Sequence, residues 1–586
     1  MESGFGVRAL FCAFGLYVAV SSSPLLAQAV PPPSQIRPPT REEIERPAAQ
    51  PPAAAPRLKV EGDIERSACP LADPAYAGIK VTIADAVFNN LKGATPEELR
   101  PTYAAYLGTE QPVAVICEIR DAAATLLRRK GYLAAVQVPT QRIENGVVRF
   151  EVLYARVTAI RVRGDAGRAE ELIASYLGRL TRDEIFNRRN AERYLLLARD
   201  LPGYEVRLSL RPAGTAPGDL IGEVTVLATP VEVDFNAQNY AARDTGRWGG
   251  QVRAQLNGLT GMGDRTSISL YSTADFDEQQ VLQVAHDFRV GPEGLTLGGR
   301  FTYAWTDPDV GIPTGTANLT ARTLFASAEA SYPFIRRQAL TLRGAAGMDF
   351  VNQKVDFVGP LSRDKLRVAY LRLDVDAMDL SRLAAPRWRL GGSLELRRGL
   401  AVFDATNGCG GIACPAGQTA PSRLDGDPTA TVIRFSGVME YAWSPMLAVA
   451  VMPRVQYAFD PLLSFEEFSA GNYTIGRGYD PGTIIGDSGA GFQVEARTGR
   501  LSPFGADFAL QPFAFIDAAW VWNRNVPGDP QRLTSIGGGV RASFANRFRL
   551  DVSLAVPTRR AGFQAEKGDP RLLISFTTRL FPWGDR

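Results

Sequence analysis

The sequence predicts a transmembrane β-barrel of sixteen antiparallel strands, preceded by two small α+β modules. Three observations carry this. From residue 229 onward, apolar and polar residues alternate over segments of about ten residues, the length with which a tilted strand crosses a bilayer. The joints between these segments are alternately short and long. The amino terminus reads as an export signal.

Residues 1–29 have the layout of a signal peptide. Arg8 supplies the positive start, Ala9 to Val20 the apolar core, and Leu26-Ala27-Gln28-Ala29 the small-residue cleavage pattern, so the mature chain is expected to begin near Val30. Residues 30–66 form a linker whose start, VPPPSQIRPPTREEIERPAAQPPAAAP, is too rich in proline to build a core and reads as an extended tether. Within it, Thr40-Arg41-Glu42-Glu43 is a capping box. It either starts one short helix that Pro47 stops or remains part of an unstructured linker.

Residues 67–155 and 156–228 repeat one order of elements. In the first module GIKVTIADAVF reads as a strand. Val115, Ile119, Ala122, Ala123, Leu126 and Leu127 share a helical face, with Gly131 as the stop. Two strands then meet at Glu144-Asn145-Gly146, a hairpin signal. In the second module VTAIRVRG is a strand and Thr181-Arg182-Asp183-Glu184 is a second capping box. Ala191, Tyr194, Leu195 and Ala198 line a helix ending at Leu201-Pro202-Gly203, and EVRLSLRP and IGEVTVLAT close the unit.

Residues 229–586 form the barrel. Phe548, Leu550, Val552, Leu554 and Val556 alternate with Arg547, Arg549, Asp551 and Ser553. A soluble sandwich also alternates; the export signal and the pattern of joints favour the membrane. Short joints at 261–263, 291–294, 335–338 and 442–445 follow even-numbered strands and face the periplasm. Long joints near 306–318, 353–363, 404–427 and 462–487 face outward. A barrel of sixteen strands is wide enough to hold an aqueous lumen.

Composition narrows the function. A net charge of +3 gives no argument for nucleic acid. His286 is the chain's single histidine, so imidazole-based triads and His-rich metal sites lack partners, and no catalytic residue, metal or cofactor is expected. GDSGAG (486–491) resembles a serine-protease nucleophile motif, but no acid or oxyanion context accompanies it. Of five cysteines, Cys12 leaves with the signal. In an oxidising compartment the other four are expected to pair as Cys69 with Cys117 and Cys409 with Cys414.

The stretch TIGRGYDPG (474–482) falls in the sixth outer loop, after the eleventh strand. Arg477 stands between Gly476 and Gly478, which permit close backbone approach. If the loop turns back into the lumen, this cation needs an acid there, because an unpaired charge in a poorly solvated site costs several kcal/mol. QPFAFIDAAWVW offers one: Phe513, Phe515 and Ile516 precede Asp517 in an otherwise apolar strand, so the acid is expected to point inward or be paired.

At these residues the chain resembles the outer-membrane transporters of two-partner secretion, the branch of the barrel-assembly superfamily that exports hemolysins and filamentous haemagglutinins. The resemblance covers essentially the whole mature chain. GYLAAVQVPTQRI, NGVVRFEVLYARV and AERYLLLARDLPGYEVRLSLRPAGTAPGDL resemble the two POTRA domains of that family. IGRGYD resembles its V-R-G-[YF] loop motif and FIDAA its F-x-D-x-G strand motif. Gly476 replaces the valine, and Ala519 stands where the family has glycine, which bears on how closely the loop approaches that strand. The resemblance implies a monomer in the bacterial outer membrane, with outer-membrane lipid around it and POTRA domains in the periplasm. These would capture an unfolded secreted client of the adhesin or hemolysin type for passage through the lumen. The sixth loop would be locked by Arg477 to Asp517, with Phe515, Gly478 and Tyr479 at the same site. A plug helix ahead of the first POTRA domain is a further implication, with Thr40 to Arg46 as its candidate. The alternative function is an assembly factor that inserts other barrels. A plain porin has no need of two periplasmic modules.

Overall fold

The computed structural model describes residues 39–45, 68–164, 167–309, 319–381, 386–409, 413–505, 507–525, 528, 530–545, 547–562 and 564–582. The expected signal peptide lies outside the described residues.

The first module packs helix Val115–Arg129 on a three-stranded sheet. Asp85–Asn89 runs parallel to the central strand Val147–Tyr154, which pairs antiparallel with Ala134–Gln137. Ile119, Ala123 and Leu127 of the helix are buried against Val148 and Phe150. Ala122 is exposed, and Ile116 and Ala124 take the remaining inward positions. The expected strand GIKVTIADAVF is broken at 83–84 into Lys80–Thr82 and Asp85–Asn89.

The second module repeats this topology: Arg156–Gly164 is parallel to the central Asp219–Ala228, which pairs antiparallel with Tyr204–Pro212. Here the expected capping box is corrected. Thr181 closes a 3-10 turn and its hydroxyl donates to the carbonyl of Gly178. Helix Arg188–Arg199 is capped instead by Asn187, whose side chain accepts the N–H of Arg189 at 2.8 Å. A helix at Glu170–Leu177, which the sequence reading omitted, supplies Ile173 and Tyr176 to the core.

The barrel closes with sixteen antiparallel strands, from Val231–Gln238 to Arg571–Phe581, the last pairing with the first. Alternation sets the wall. In the thirteenth strand, Phe508–Trp522, the side chains of Phe513, Phe515, Asp517, Ala519 and Val521 are buried inside, while Ile516 and Trp522 are exposed outside. The joint expected near 353–363 is not a long loop. The seventh and eighth strands, Leu340–Phe357 and Pro360–Met378, continue as a hairpin that turns at 358–359. Both are far longer than the roughly ten residues a bilayer requires, so the hairpin projects beyond the outer rim.

Both expected disulfides are present. Cys69–Cys117 ties the module's entry segment to its helix, and Cys409–Cys414 closes the small loop. The second module sits against the barrel's other rim. Arg193 donates to the carbonyl oxygens of Pro333 and Glu293 at 3.0 and 3.2 Å, and Asp200 takes Arg336 in a two-pronged pair at 2.6 and 2.7 Å.

Candidate functional site

The connection between the eleventh strand, Leu447–Ala458, and the twelfth, Ser488–Thr498, folds into the lumen. It is itself a hairpin, Phe468–Ala470 pairing with Ile484–Gly486, and the tip between them carries IGRGYDPG. At the tip Gly476 has a φ of 113°, open to glycine, and a Cβ there would lie 2.5 Å from Leu533 Cδ1. The tip thus presses directly onto the wall.

Arg477 meets two acids. Its backbone N–H and Nε donate to Asp517 Oδ2 at 2.9 and 3.1 Å, and its Nη2 donates to Asp517 Oδ1 at 2.7 Å. Its Nη1 donates to Glu495 Oε2 on the twelfth strand at 3.0 Å. The guanidinium lies 3.5 Å above the centre of the Phe515 ring, a contact on the order of 2 kcal/mol when desolvated. Asp517 and Glu495 are almost fully buried. Asp517 also accepts the Ser535 hydroxyl at 3.3 Å, and that hydroxyl accepts the N–H of Gly478. Glu495 is shared with Arg497 and Arg541. The Tyr479 hydroxyl donates to the carbonyl oxygens of Thr534 and Arg559, each at 2.8 Å. Asp480 lies 2.8 Å from Arg571 on the last strand. Arg477, Gly478, Tyr479, Phe515 and Asp517 therefore converge on one site.

Ala519 does not hold the loop away. It pairs in register with Gly491 on the neighbouring strand and is buried against Ile475 and Tyr479 of the loop. The room that a glycine at 519 would provide comes from Gly491, where a Cβ would lie 2.9 Å from Ile475 and 3.0 Å from Ala519 Cβ.

A second anchor was missed by the sequence reading. Glu466, at the loop's start, is buried and accepts Arg397 Nε and Nη2, each at 2.9 Å, and Arg434 Nη2 at 2.9 Å. Arg397 is fully buried and also donates to Asp349 and Glu395, each at 2.7 Å. The loop thus meets the wall through the cation Arg477 and the anion Glu466, each answered by opposite charges, in addition to the Asp480 contact with Arg571. Glu466 stands beside a second acid, Glu467, in LLSFEEFS, and so lacks the isolation in an apolar run that marks Asp517.

The capping box at Thr40 forms, with helix Arg41–Ile44 behind it, and the helix lies inside the barrel. Ile44 is buried among Phe325, Val351, Leu366, Leu463 and Phe465. Arg41 approaches Asp349 at 3.4 Å and Glu466 at 3.6 Å, Arg300 donates to Glu45 at 3.2 Å, and Glu42 pairs with Arg454 and accepts the Ser469 hydroxyl. The helix therefore touches both the wall and the inward loop. Of the motif GDSGAG, Asp487 is a buried acceptor for the backbone N–H groups of Leu462 and Arg524, and the Ser488 hydroxyl accepts the N–H of Ala458. His286 pairs with Thr266 at 2.9 Å. These are structural contacts.

The model of the haemolysin secretion/activation protein family ShlB/FhaC/HecB matches residues 224–542, and that of the ShlB-type POTRA domain matches residues 81–154. The chain belongs to this family. Over 491 residues it is 22% identical to the heme/hemopexin transporter protein HuxB of Haemophilus influenzae, covering 80% of this chain and 82% of that one. Among solved structures, CdiB from Escherichia coli matches at a TM-score of 0.69 with 15% identity, covering 88% of this chain and 94% of that one. CdiB from Acinetobacter baumannii matches at 0.61 with 17% identity, covering 89% and 94%. The protein is an outer-membrane β-barrel transporter of the two-partner secretion type, with periplasmic POTRA domains. The modules' rim is the periplasmic one.

Proposed function

We propose that the protein exports an unfolded polypeptide client through the barrel. The POTRA domains hold the client by adding a client strand to a sheet edge, a mode for which Tyr204–Pro212 and Ala134–Gln137 are each edge strands of the right kind. The client then passes through the lumen. The inward loop, locked by Arg477 to Asp517, keeps the pore wall in its transport geometry, and the helix Arg41–Ile44 acts as a plug that leaves before the client enters.

One observation supports this reading above the others: a barrel wide enough for an open channel is filled instead by a loop and a helix held through ion pairs. Ion pairs between separate segments can exchange partners without unfolding the wall, which suits a gated conduit better than a porin. The test is co-purification of a client with the full chain and with a chain lacking residues 67–155. Removal of that POTRA domain is expected to abolish client binding and export while the barrel still inserts. Client retention and export at the full level would overturn the reading.

A further inference from the structure

Beside the second POTRA domain lies a cleft that transport leaves unused. It has a volume of about 430 Å³ and opens between this domain and the turn joining the sixth and seventh strands. Six arginines line it: Arg179, Arg182, Arg189 and Arg193 from the domain, Arg336 and Arg337 from the turn. Glu293 takes Arg179 at 3.1 Å and Asp200 takes Arg336. Asp183, also on the wall, is engaged by Asn190 at 3.4 Å. Among the described residues, Arg182, Arg189 and Arg337 have no carboxylate partner, and Arg179 Nε is buried without a hydrogen bond. Gathering guanidinium groups in one cleft costs repulsion unless an anion joins them.

The cleft's position identifies that anion. Phe334, exposed on the outer face of the sixth strand, forms part of its lining. At the periplasmic ends of other strands, Trp388, Trp443, Phe544 and Phe581 are likewise exposed. Such a girdle of aromatic side chains sits at the level of lipid headgroups. A cleft beside Phe334 therefore opens where the periplasmic leaflet presents its phosphates.

We propose that this cleft binds the phosphate headgroup of an anionic phospholipid of the periplasmic leaflet, with the acyl chains lying along Phe334 and the barrel's outer face. Guanidinium groups suit the ligand, because each offers paired donors to phosphate oxygens. A lipid so placed touches both the POTRA domain and the barrel and fixes the angle between them.

The test uses the full chain in nanodiscs of phosphatidylcholine containing a minor share of phosphatidylglycerol, with the retained lipid counted by native mass spectrometry. Wild-type protein is expected to enrich phosphatidylglycerol roughly tenfold over its share of the bilayer. The pair Arg182→Gln/Arg337→Gln is expected to lose that enrichment, and Arg182→Lys/Arg337→Lys to keep most of it. Heat-modifiable migration checks that each barrel is folded; should the pair fail it, the exposed single change Arg182→Gln serves. Equal enrichment in wild type and the Gln variants, or equal retention of phosphatidylcholine, overturns the proposal. So does displacement of the lipid by inorganic phosphate, which would assign the cleft to a free anion. Displacement by a polyglutamate peptide would assign it to an acidic polypeptide instead.

Discussion

Asp517 accepts three hydrogen bonds from Arg477, one from its backbone N–H and two from its guanidinium. Both backbone and side chain of the loop tip are thereby fixed to one buried carboxylate. Glu495 keeps Arg497 and Arg541 if the Arg477 side chain is lost, but Asp517 keeps only neutral donors, the backbone N–H of residue 477 and the Ser535 hydroxyl. Arg477→Ala therefore strands a buried charge, at a cost of about 3–5 kcal/mol. Export is expected to fall to a small fraction of wild type while the barrel still inserts. Arg477→Ala/Asp517→Ala removes both charges and is expected to regain much of the stability and none of the export. Normal secretion by both single variants would remove the lock from the mechanism.

Glu466 holds the other end of the loop, and its loss is expected to be milder. Arg397 retains Asp349 and Glu395, whereas Arg434 retains the side chain of Gln456. Glu466→Gln preserves shape and some hydrogen bonding, so a destabilisation of about 1–3 kcal/mol is expected. The helix Arg41–Ile44 loses the ion pair of its Arg41 to Glu466 as well. Planar-bilayer recordings should show more frequent open events than for wild type; an unaltered opening frequency would mean that the helix does not depend on this anchor.

Steric fit at the loop tip gives a separate expectation. Gly491 leaves the space that Ile475 and Ala519 fill, so Gly491→Val forces the tip off the wall without touching a charge. Overpacking of this kind costs roughly 1–3 kcal/mol, and export should drop as it does for Arg477→Ala. Ala519→Gly, which restores the residue usual in the family, removes one methyl and should cost about 1 kcal/mol or less with export intact. Export that survives Gly491→Val would show that the tip need not seat fully.

The barrel was legible because alternation is a local signal: each inward residue declares its face two positions from the next. The Arg477 to Asp517 pairing was legible for a different reason, as a charge in an apolar strand and a charge between glycines each demand an explanation. What escaped depends on distant partners. Thr181 looks like a cap, yet Asn187 holds the position because Gly131 of the first domain accepts the N–H of Arg188 beside it. The inward Phe513 and Phe515 break the expectation of a polar lumen, since Arg541 and Arg477 cover their rings. The hairpin at 358–359 hid because its strands outlast the membrane, so polar residues there read as loop.

The helix Arg41–Ile44 is only four residues long and cannot persist alone. Its position comes from Ile44, fully buried between wall and loop. Ile44→Asp places a charge in that apolar cluster, at a cost of several kcal/mol, and is expected to expel the helix. Arg300 and Arg454 of the wall lose Glu45 and Glu42, but the strand pairing that closes the barrel is untouched, so its heat-modifiable migration should be unchanged. Single-channel conductance is expected to rise severalfold. Conductance equal to wild type in the expelled state, confirmed by protease access to residues 39–45, would show that the inward loop alone closes the pore.

The contact of Asp200 with Arg336 yields the last expectation. Asp200 follows helix Arg188–Arg199 directly, and Arg336 ends the sixth strand, so the pair joins the end of a POTRA helix to the end of a barrel strand. Neutralising it with Asp200→Asn should cost about 1 kcal/mol, since the pair is partly exposed. Reversal by Asp200→Arg does more, because it places a further cation beside Arg336 and Arg199, and the domain should swing from the rim. Spin labels on the second POTRA domain and on the turn at 291–294 would report a broadened distance distribution. The exchange Asp200→Arg/Arg336→Asp should narrow it again, as the charges are restored in opposite order. A narrow distribution in the single reversal would place the docking energy in Arg193 and its carbonyl partners instead.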